Sequence, residues 1–303
     1  AVSLSDRTLF GEGKSASIQL QAGAQVRSVG INLLDPAIND NQDSLGASVY
    51  YNSVIGLQTN VTDSQGNTQF GYYDDNRIGG SITYGHPFLD ELRGFVTVRH
   101  ENLNLTQNTD YGGPDVPGLG KGSLNALSFA AIYDTRDDLF NPHTGSFLNG
   151  SVAVAGFGGT YNYDKFTVEA RHYIPIADRQ TIALRAWAGL LTNPNGAPIS
   201  EYFFAGGPDT LRGYPQNQFY GSHFLTVNAE YRFPIGNIKF LNGSVFGDLG
   251  NAYTPGVNPS KLYYDGGVGL RIVFPTLGLG VIRVDYAFGE LGGRASIGIG
   301  QSF

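Results

Sequence analysis

The sequence predicts an all-β protein, a transmembrane antiparallel β-barrel, and three observations carry that prediction. The first is a period of two along segments of about ten residues or more, the length of a tilted membrane strand. In "HFLTVNAEYRF", Leu225, Val227, Ala229, Tyr231 and Phe233 share one face, while Thr226, Asn228, Glu230 and Arg232 share the other. The second is that such polar faces carry paired opposite charges, which suits a wet, charged interior behind a surface that meets lipid. The third is composition. Among 303 residues, 43 glycines stand beside 18 tyrosines and 19 phenylalanines, a balance that suits twisted strands and aromatic belts at membrane interfaces.

Other classes fall away on the same numbers. No stretch approaches the ~18 to 20 uninterrupted apolar residues of a spanning helix, and a membrane protein without such helices must satisfy its backbone by closing a barrel. Cysteine is absent, which excludes disulfides and thiolate chemistry. The 19 Lys and Arg against 26 Asp and Glu are scattered, so nucleic acid is not an expected partner. No charged start leads into an apolar core, so no signal peptide is read here. Because position 1 is alanine and methionine is absent, the chain reads as a mature or truncated piece, with one barrel domain expected over 1–303.

Turn residues divide the chain into fifteen expected strands. They lie near 1–8, 14–24, 26–34, 44–58, 73–85, 92–103, 123–134, 145–157, 162–174, 180–191, 221–233, 238–248, 261–274, 279–288 and 294–303. Short connections such as "DPAIND", "HPFLD", "IPIADRQ" and "FPIGN" alternate with long polar ones such as "TNVTDSQGNTQ" and "GNAYTPGVNPS". That is the pattern of periplasmic turns against extracellular loops. In the strand at 180–191, Ile182, Leu184, Ala186, Ala188 and Leu190 oppose Ala183, Arg185, Trp187 and Gly189. At 261–274, Val268, Leu270 and Ile272 oppose Asp265 and Arg271, and at 279–288, Val284 and Tyr286 oppose Arg283 and Asp285. Single-chain bacterial barrels have even strand counts, so one further strand before Ala1 would make sixteen in the intact protein. The chain ends "ASIGIGQSF", where Ala295, Ile297, Ile299, Gln301 and Phe303 share one face. This reads as a lipid-facing last strand, with Gly298 and Gly300 offering few side-chain contacts at the seam with the first.

Several motifs carry little. "GEGKS" lacks the first glycine of a phosphate loop, Thr8 standing in its place, and reads as a tight turn. The histidines His86, His100, His143, His172 and His223 have no ligand-like spacing, so no metal is expected. His172 falls on a lipid-facing position, but no serine partner is evident, and a membrane serine hydrolase needs that pair. "TDSQGN" and "YDDN" read as solvated loop polars, without calcium-loop spacing. No catalytic role and no cofactor are expected.

The stretch "FFAGGPDTLRGY" (Phe203 to Tyr214), followed by "VNAEYRFP" and "VFGDLG", resembles the BamA/TamA family of outer-membrane assembly factors. "DTRDDLFNPHTGSFL" is similar to the family's turn between two middle strands. The resemblance implies a bacterial outer-membrane barrel whose long extracellular loop folds back into the lumen, with periplasmic domains expected upstream of Ala1. It implies a loop tip at Leu211, Arg212, Gly213 and Tyr214, whose arginine meets the aromatic-x-Asp-x-Gly strand of Phe246, Asp248 and Gly250. Glu230 sits where the family has a second lumenal carboxylate.

The residue types fit that role. Gly206 and Gly207 permit a sharp re-entrant bend, Gly213 allows close backbone approach beside the arginine, and Arg212 offers a planar fork for carboxylates. Parity independently puts Asp248 and Glu230 on the polar face. The implied function is folding and insertion of nascent outer-membrane proteins at a weak seam between first and last strands. Expected partners are the lipid bilayer, nascent outer-membrane proteins, and periplasmic or lipoprotein accessory subunits. Three rivals share parts of this pattern: a barrel that secretes one dedicated polypeptide, a barrel that anchors a fused lipase domain, and a passive porin, which the re-entrant loop disfavours.

Overall fold

The alternation along the chain becomes a ladder of antiparallel strands in the computed structural model, which describes residues 2–9, 13–62, 68–238, 240–258, 260–274 and 280–303. The ladder begins with β1 (Val2–Leu9), β2 (Lys14–Ala22), β3 (Val26–Asp35), β4 (Ser44–Thr62), β5 (Thr68–Pro87) and β6 (Leu92–Gln107). It continues through β7 (Gly120–Asp134), β8 (Gly145–Ala155), β9 (Tyr163–Ala177) and β10 (Gln180–Thr192). A long connection follows, containing the short strands β11 (Phe203–Ala205) and β12 (Phe219–Gly221). The last five strands are β13 (His223–Pro234), β14 (Leu241–Tyr253), β15 (Tyr263–Phe274), β16 (Gly280–Gly289) and β17 (Gly292–Ile299). Among the described residues, fifteen strands form one sheet in chain order, β1 to β10 and then β13 to β17, while β11 and β12 form a separate ribbon.

Each of the fifteen expected strands is present, with shifted ends. The hairpin of β4 and β5 runs further than 44–58 and 73–85, its ladder continuing to Thr62↔Thr68. Backbone pairing needs no apolar side chains once a strand has left lipid, so a polar loop sequence continues the hydrogen bonding. The strand expected at 238–248 occupies 241–253, and the last ends at Ile299 rather than 303. Most of "TDSQGN", the start of "GEGKS" and most of the "FPTLG" turn lie outside the described residues.

Contacts group the residues into two compact units. One comprises Ala1–Ile132, Gly150–Phe166 and Leu191–Tyr202; the other comprises Tyr133–Asn149, Thr167–Leu190 and Phe203–Phe303. In the first, the hydrophobic face of β3, with Val29, Ile31 and Leu33, is exposed, whereas Asp75 on β5 and Glu101 on β6 are buried. The second repeats the inversion. Leu225, Val227 and Tyr231 of β13 are 37–40% exposed, yet Thr226, Asn228, Glu230 and Arg232 between them are buried. Water would drive these faces the other way, so the outer surface is one that meets lipid.

Candidate functional site

The site is built on the connection between β10 and β13, where the chain turns back onto the polar face of β13 to β16. Gly206 and Gly207 have φ of +105° and +99°, a region that side chains with a Cβ rarely adopt. A Cβ on Gly206 would also lie 2.3 Å from the Pro215 carbonyl. Below the bend, the Gly207 amide donates to the carbonyls of Leu211 and Tyr214, both at 3.1 Å. The Gly206 amide donates to Thr210 Oγ1 at 2.8 Å. These bonds curl residues 206–214 into a compact tip whose Leu211, Arg212 and Tyr214 are buried.

Arg212 reaches two strands. Its Nε donates to Asp248 Oδ2 and its Nη2 to Asp248 Oδ1, both at 2.8 Å, the side-on double bond that a guanidinium makes and an ammonium cannot. Its Nη1 donates to Glu230 Oε2 at 2.6 Å, and its backbone amide also donates to Asp248 Oδ2 at 3.2 Å. The Phe246 ring centroid lies 3.3 Å from the guanidinium carbon, a cation–π contact that covers the fork. Asp248 and Asn228 are register partners, and Asn228 Nδ2 donates to Asp248 Oδ1 at 2.8 Å and to the Thr210 carbonyl at 2.7 Å. The side chain thereby ties strand to loop.

Further charges surround this pair. Glu230 also accepts from Arg232 Nε at 3.0 Å and from Arg271 Nη2 at 2.9 Å. Arg271 in turn donates to Asp285 Oδ1 at 2.6 Å. Three guanidinium groups thus face three carboxylates, all buried, so the network's formal charge cancels. Burial of such a network fixes geometry more surely than it adds stability, and removal of one member leaves a lone charge. The sequence reading places Arg232, Arg271 and Asp285 on polar faces but does not bring them to Glu230; cross-strand neighbourhood, not spacing, joins them. Asp209 is a further loop contact of this kind, ion-paired to Arg283, while its carbonyl accepts from Arg185 Nη1 at 2.7 Å.

The remaining predicted residues sort differently. Tyr214 donates its hydroxyl to the Tyr264 carbonyl at 3.2 Å and packs edge-on against Phe219 and Tyr263. Gly213 is needed for close approach to β15 and β16 rather than beside the arginine: a Cβ there would lie 2.6 Å from Asp265 Cβ and 2.9 Å from the Gly289 amide. Gly250 belongs to the β13–β14 ladder, where a Cβ would meet the Leu225 carbonyl at 2.4 Å. Ile297 and Ile299 are 76% and 73% exposed, as a lipid-facing strand requires. A Cβ on Gly298 would lie 2.5 Å from Arg283 Nε, so this glycine makes room for a buried arginine.

Two expectations are corrected. Phe303 does not share the outer face with Ile297 and Ile299. Gly300 has φ +86°, which ends β17 and turns the chain inward; Phe303 is buried with Tyr173 and Ala183. Its carbonyl accepts from Arg232 Nη2 at 3.1 Å, and Ser302 Oγ donates to the loop carbonyl of Pro208 at 3.1 Å. His172 does have a serine beside it: Ser146 Oγ lies 2.8 Å from Nδ1. Among the described residues no carboxylate pairs with that ring, so the contact lacks the orienting acid of a hydrolase.

The first unit holds a loop anchor that sequence reasoning missed. A single 3₁₀ turn at Ile199–Glu201 presents Glu201, which is buried and accepts from Arg99 Nη2 at 3.0 Å and Lys165 Nζ at 3.3 Å. Arg99 on β6 also lies 3.6 Å from Glu101, which accepts from the Tyr50 hydroxyl. No spacing signal marks Glu201, since its partners are 102 and 36 residues away.

With this geometry established, comparison with known proteins finds a family model. The Omp85 superfamily domain matches residues 8–303. The outer membrane protein assembly factor BamA of Nitratidesulfovibrio vulgaris is 25% identical over 247 residues, which cover 75% of this chain and 29% of that protein. The chain therefore spans less than a third of that relative's length. Among solved structures, BamA from Haemophilus ducreyi lacking POTRA domains 1–3 matches with a TM-score of 0.78 at 16% identity, over 97% of this chain and 65% of that one. CdiB from Escherichia coli matches with a TM-score of 0.68 at 12% identity, over 97% and 57%. At such identities these two likenesses speak for the fold.

Proposed function

The chain belongs to the Omp85 superfamily, and from that premise we propose that it is the membrane-embedded barrel of an outer-membrane protein assembly factor. It would act in the bacterial outer membrane, helping nascent β-barrel proteins to fold and insert. The observation that carries this reading is Arg212 held between Asp248 and Glu230, which pins the re-entrant loop to the polar face as a latch. A passive pore would have no use for a lumen occupied by a folded loop.

The step the latch serves is strand addition at the seam between first and last strands. An unpaired strand edge is costly in lipid and is a template for an incoming strand. β17 stands at the end of the strand order, with Gly298 between its exposed Ile297 and Ile299.

A second reading, secretion of a dedicated polypeptide through the lumen, is favoured by the fold shared with CdiB. One assay separates the two. Full-length protein is reconstituted in vesicles, an unfolded outer-membrane barrel protein is added, and the folded fraction is followed by its heat-modifiable mobility. Faster folding than in empty vesicles, slowed by Arg212→Ala, is expected. Folding no faster than in empty vesicles would sink the assembly reading, and polypeptide protected inside the vesicles without insertion would favour secretion.

A further inference from the structure

In the first unit, three neighbouring strands change character at one level of their exposed face. Along β5 the exposed Ile82 and Ile78 give way to Asn76. Along β6 Val98 gives way to Asn102 and Asn104, and along β7 Phe129 gives way to Lys121. Tyr51 on β4 is the register partner of Ile78, Ile78 is that of Asn102, and Asn76 is that of Asn104. The outward face of a membrane barrel is apolar in the hydrocarbon and turns polar where it leaves it, so this level is the lipid boundary. It lies toward the long connection 108–119, on the extracellular side of such a barrel. A shallow groove of about 610 Å³ crosses the boundary, with Tyr51 and Ile78 on its apolar side and Asn76, Asn102, Asn104 and Lys121 on its polar side.

These polar groups are not committed to one another. Among the described residues Lys121 has no carboxylate partner, whereas Lys14, Lys165 and Lys261 pair with Asp35, Glu201 and Glu290. Asn102 meets the His100 ring at 3.4 Å. Asn104 Oδ1 is buried without a hydrogen-bond partner, although Asn76 stands opposite in register. A buried acceptor left without a bond is costly, so this amide gains by turning toward an added donor.

We propose that this groove seats the headgroup of a phosphorylated glycolipid at the outer face of the membrane. Each carboxamide both donates and accepts, which matches sugar hydroxyls, and three amides on two strands offer several such bonds side by side. Lys121 supplies a point charge for a phosphate. Tyr51 and Ile78 stand where acyl chains meet the sugar, so both parts of the amphiphile find a like surface. A glycerophospholipid would satisfy the lysine and the apolar side but leave the amides unmatched. The site goes beyond the assembly role and shares no residue with the latch.

The test is native mass spectrometry of the full-length protein in a maltoside detergent. It is titrated with lipid A, a phosphorylated and acylated glucosamine disaccharide, and separately with phosphatidylglycerol. Saturable binding of lipid A is expected, tighter than that of phosphatidylglycerol. Lys121→Ala should weaken lipid A about tenfold, the loss of a charged contact. Asn104→Leu should weaken lipid A but not phosphatidylglycerol. Lys261→Ala removes an exposed lysine already paired with Glu290 and should leave binding unchanged. Heat-modifiable mobility checks that each variant is folded. Absence of saturable binding, or equal affinity for wild type and Lys121→Ala, overturns the proposal. An equal loss in Lys261→Ala also overturns it, by showing attraction to any exposed lysine. Equal binding of the two lipids, unaffected by Asn104→Leu, overturns the glycolipid assignment and leaves a general phospholipid contact.

Discussion

The connection between β10 and β13 carries two charged anchors of opposite sign, one in each compact unit. Arg212 is a loop cation set on strand carboxylates; Glu201 is a loop carboxylate set on strand cations. At the first, the side chains of Arg212, Glu230 and Asp248 are wholly buried, and the guanidinium engages Asp248 through two parallel bonds. At the second, the Arg99 and Lys165 side chains keep 25% and 23% of their exposure, and each gives the carboxylate a single bond. Burial and bidentate geometry make a contact strong and salt-insensitive, while partial exposure lets water and ions compete. One loop is therefore held rigidly at its tip and more loosely nearer β10.

The largest expected effect comes from breaking the tip. Arg212→Ala leaves Glu230 and Asp248 short of a buried partner, a change that costs ~3–5 kcal/mol for such pairs. Chemical unfolding in detergent should show that loss, and limited proteolysis should cut within 203–222 where the wild type resists. Unaltered resistance would mean that the loop is held by its other bonds. Next comes Gly213→Ala. The atoms a new Cβ would meet are Asp265 Cβ and a backbone amide, neither the flexible end of a side chain, so a cost near 3 kcal/mol, the top of the overpacking range, is expected. Wild-type stability would show that β15 and β16 can yield.

Glu201→Gln should cost less, ~2 kcal/mol, the scale of hydrogen bonds to charged groups. Its signature is selective: cleavage should appear near 194–202 while the tip stays protected, and added salt should shrink the difference between wild type and variant. A salt-independent effect would place Glu201 with the buried anchor instead.

These two anchors were not equally legible in the sequence. Strand parity alone sets Glu230 and Asp248 on the polar face, and the Gly-Gly bend with a lone arginine marks the tip. Glu201 carries no such mark, because its partners come from strands far away in sequence and its own segment is irregular. Phe303 misleads for a related reason. Period-two counting continues through Gly300, but a glycine with positive φ breaks the phase and sends the aromatic ring inward. The fifteen strands were legible because each alternates for its own length. The cluster of Arg271, Glu230 and Asp285 depends on how three separate strands lie side by side, which periodicity within one strand does not encode.

A third buried carboxylate outside the loop is Asp43, in the turn between β3 and β4. Its carboxylate is lowered to about 2, first by Asn39 Nδ2 donating at 2.7 Å, then by the Tyr84 hydroxyl and by His86, 2.5 Å away. A carboxylate held lower in the fold than in the unfolded chain stabilises above its unfolded value of about 4, and that stabilisation is lost as pH falls through about 2. Protection of the Ile38 amide, which donates to the Asp43 carbonyl at 2.7 Å, should therefore persist on acidification from neutral pH to about 4 and fade below it. Asp43→Asn should abolish that acid limb while leaving the two loop anchors untouched, the smallest effect of the four. Hydrogen exchange across this pH range reads it directly, and loss of Ile38 protection well above pH 4 would show that the turn depends on some group other than this carboxylate.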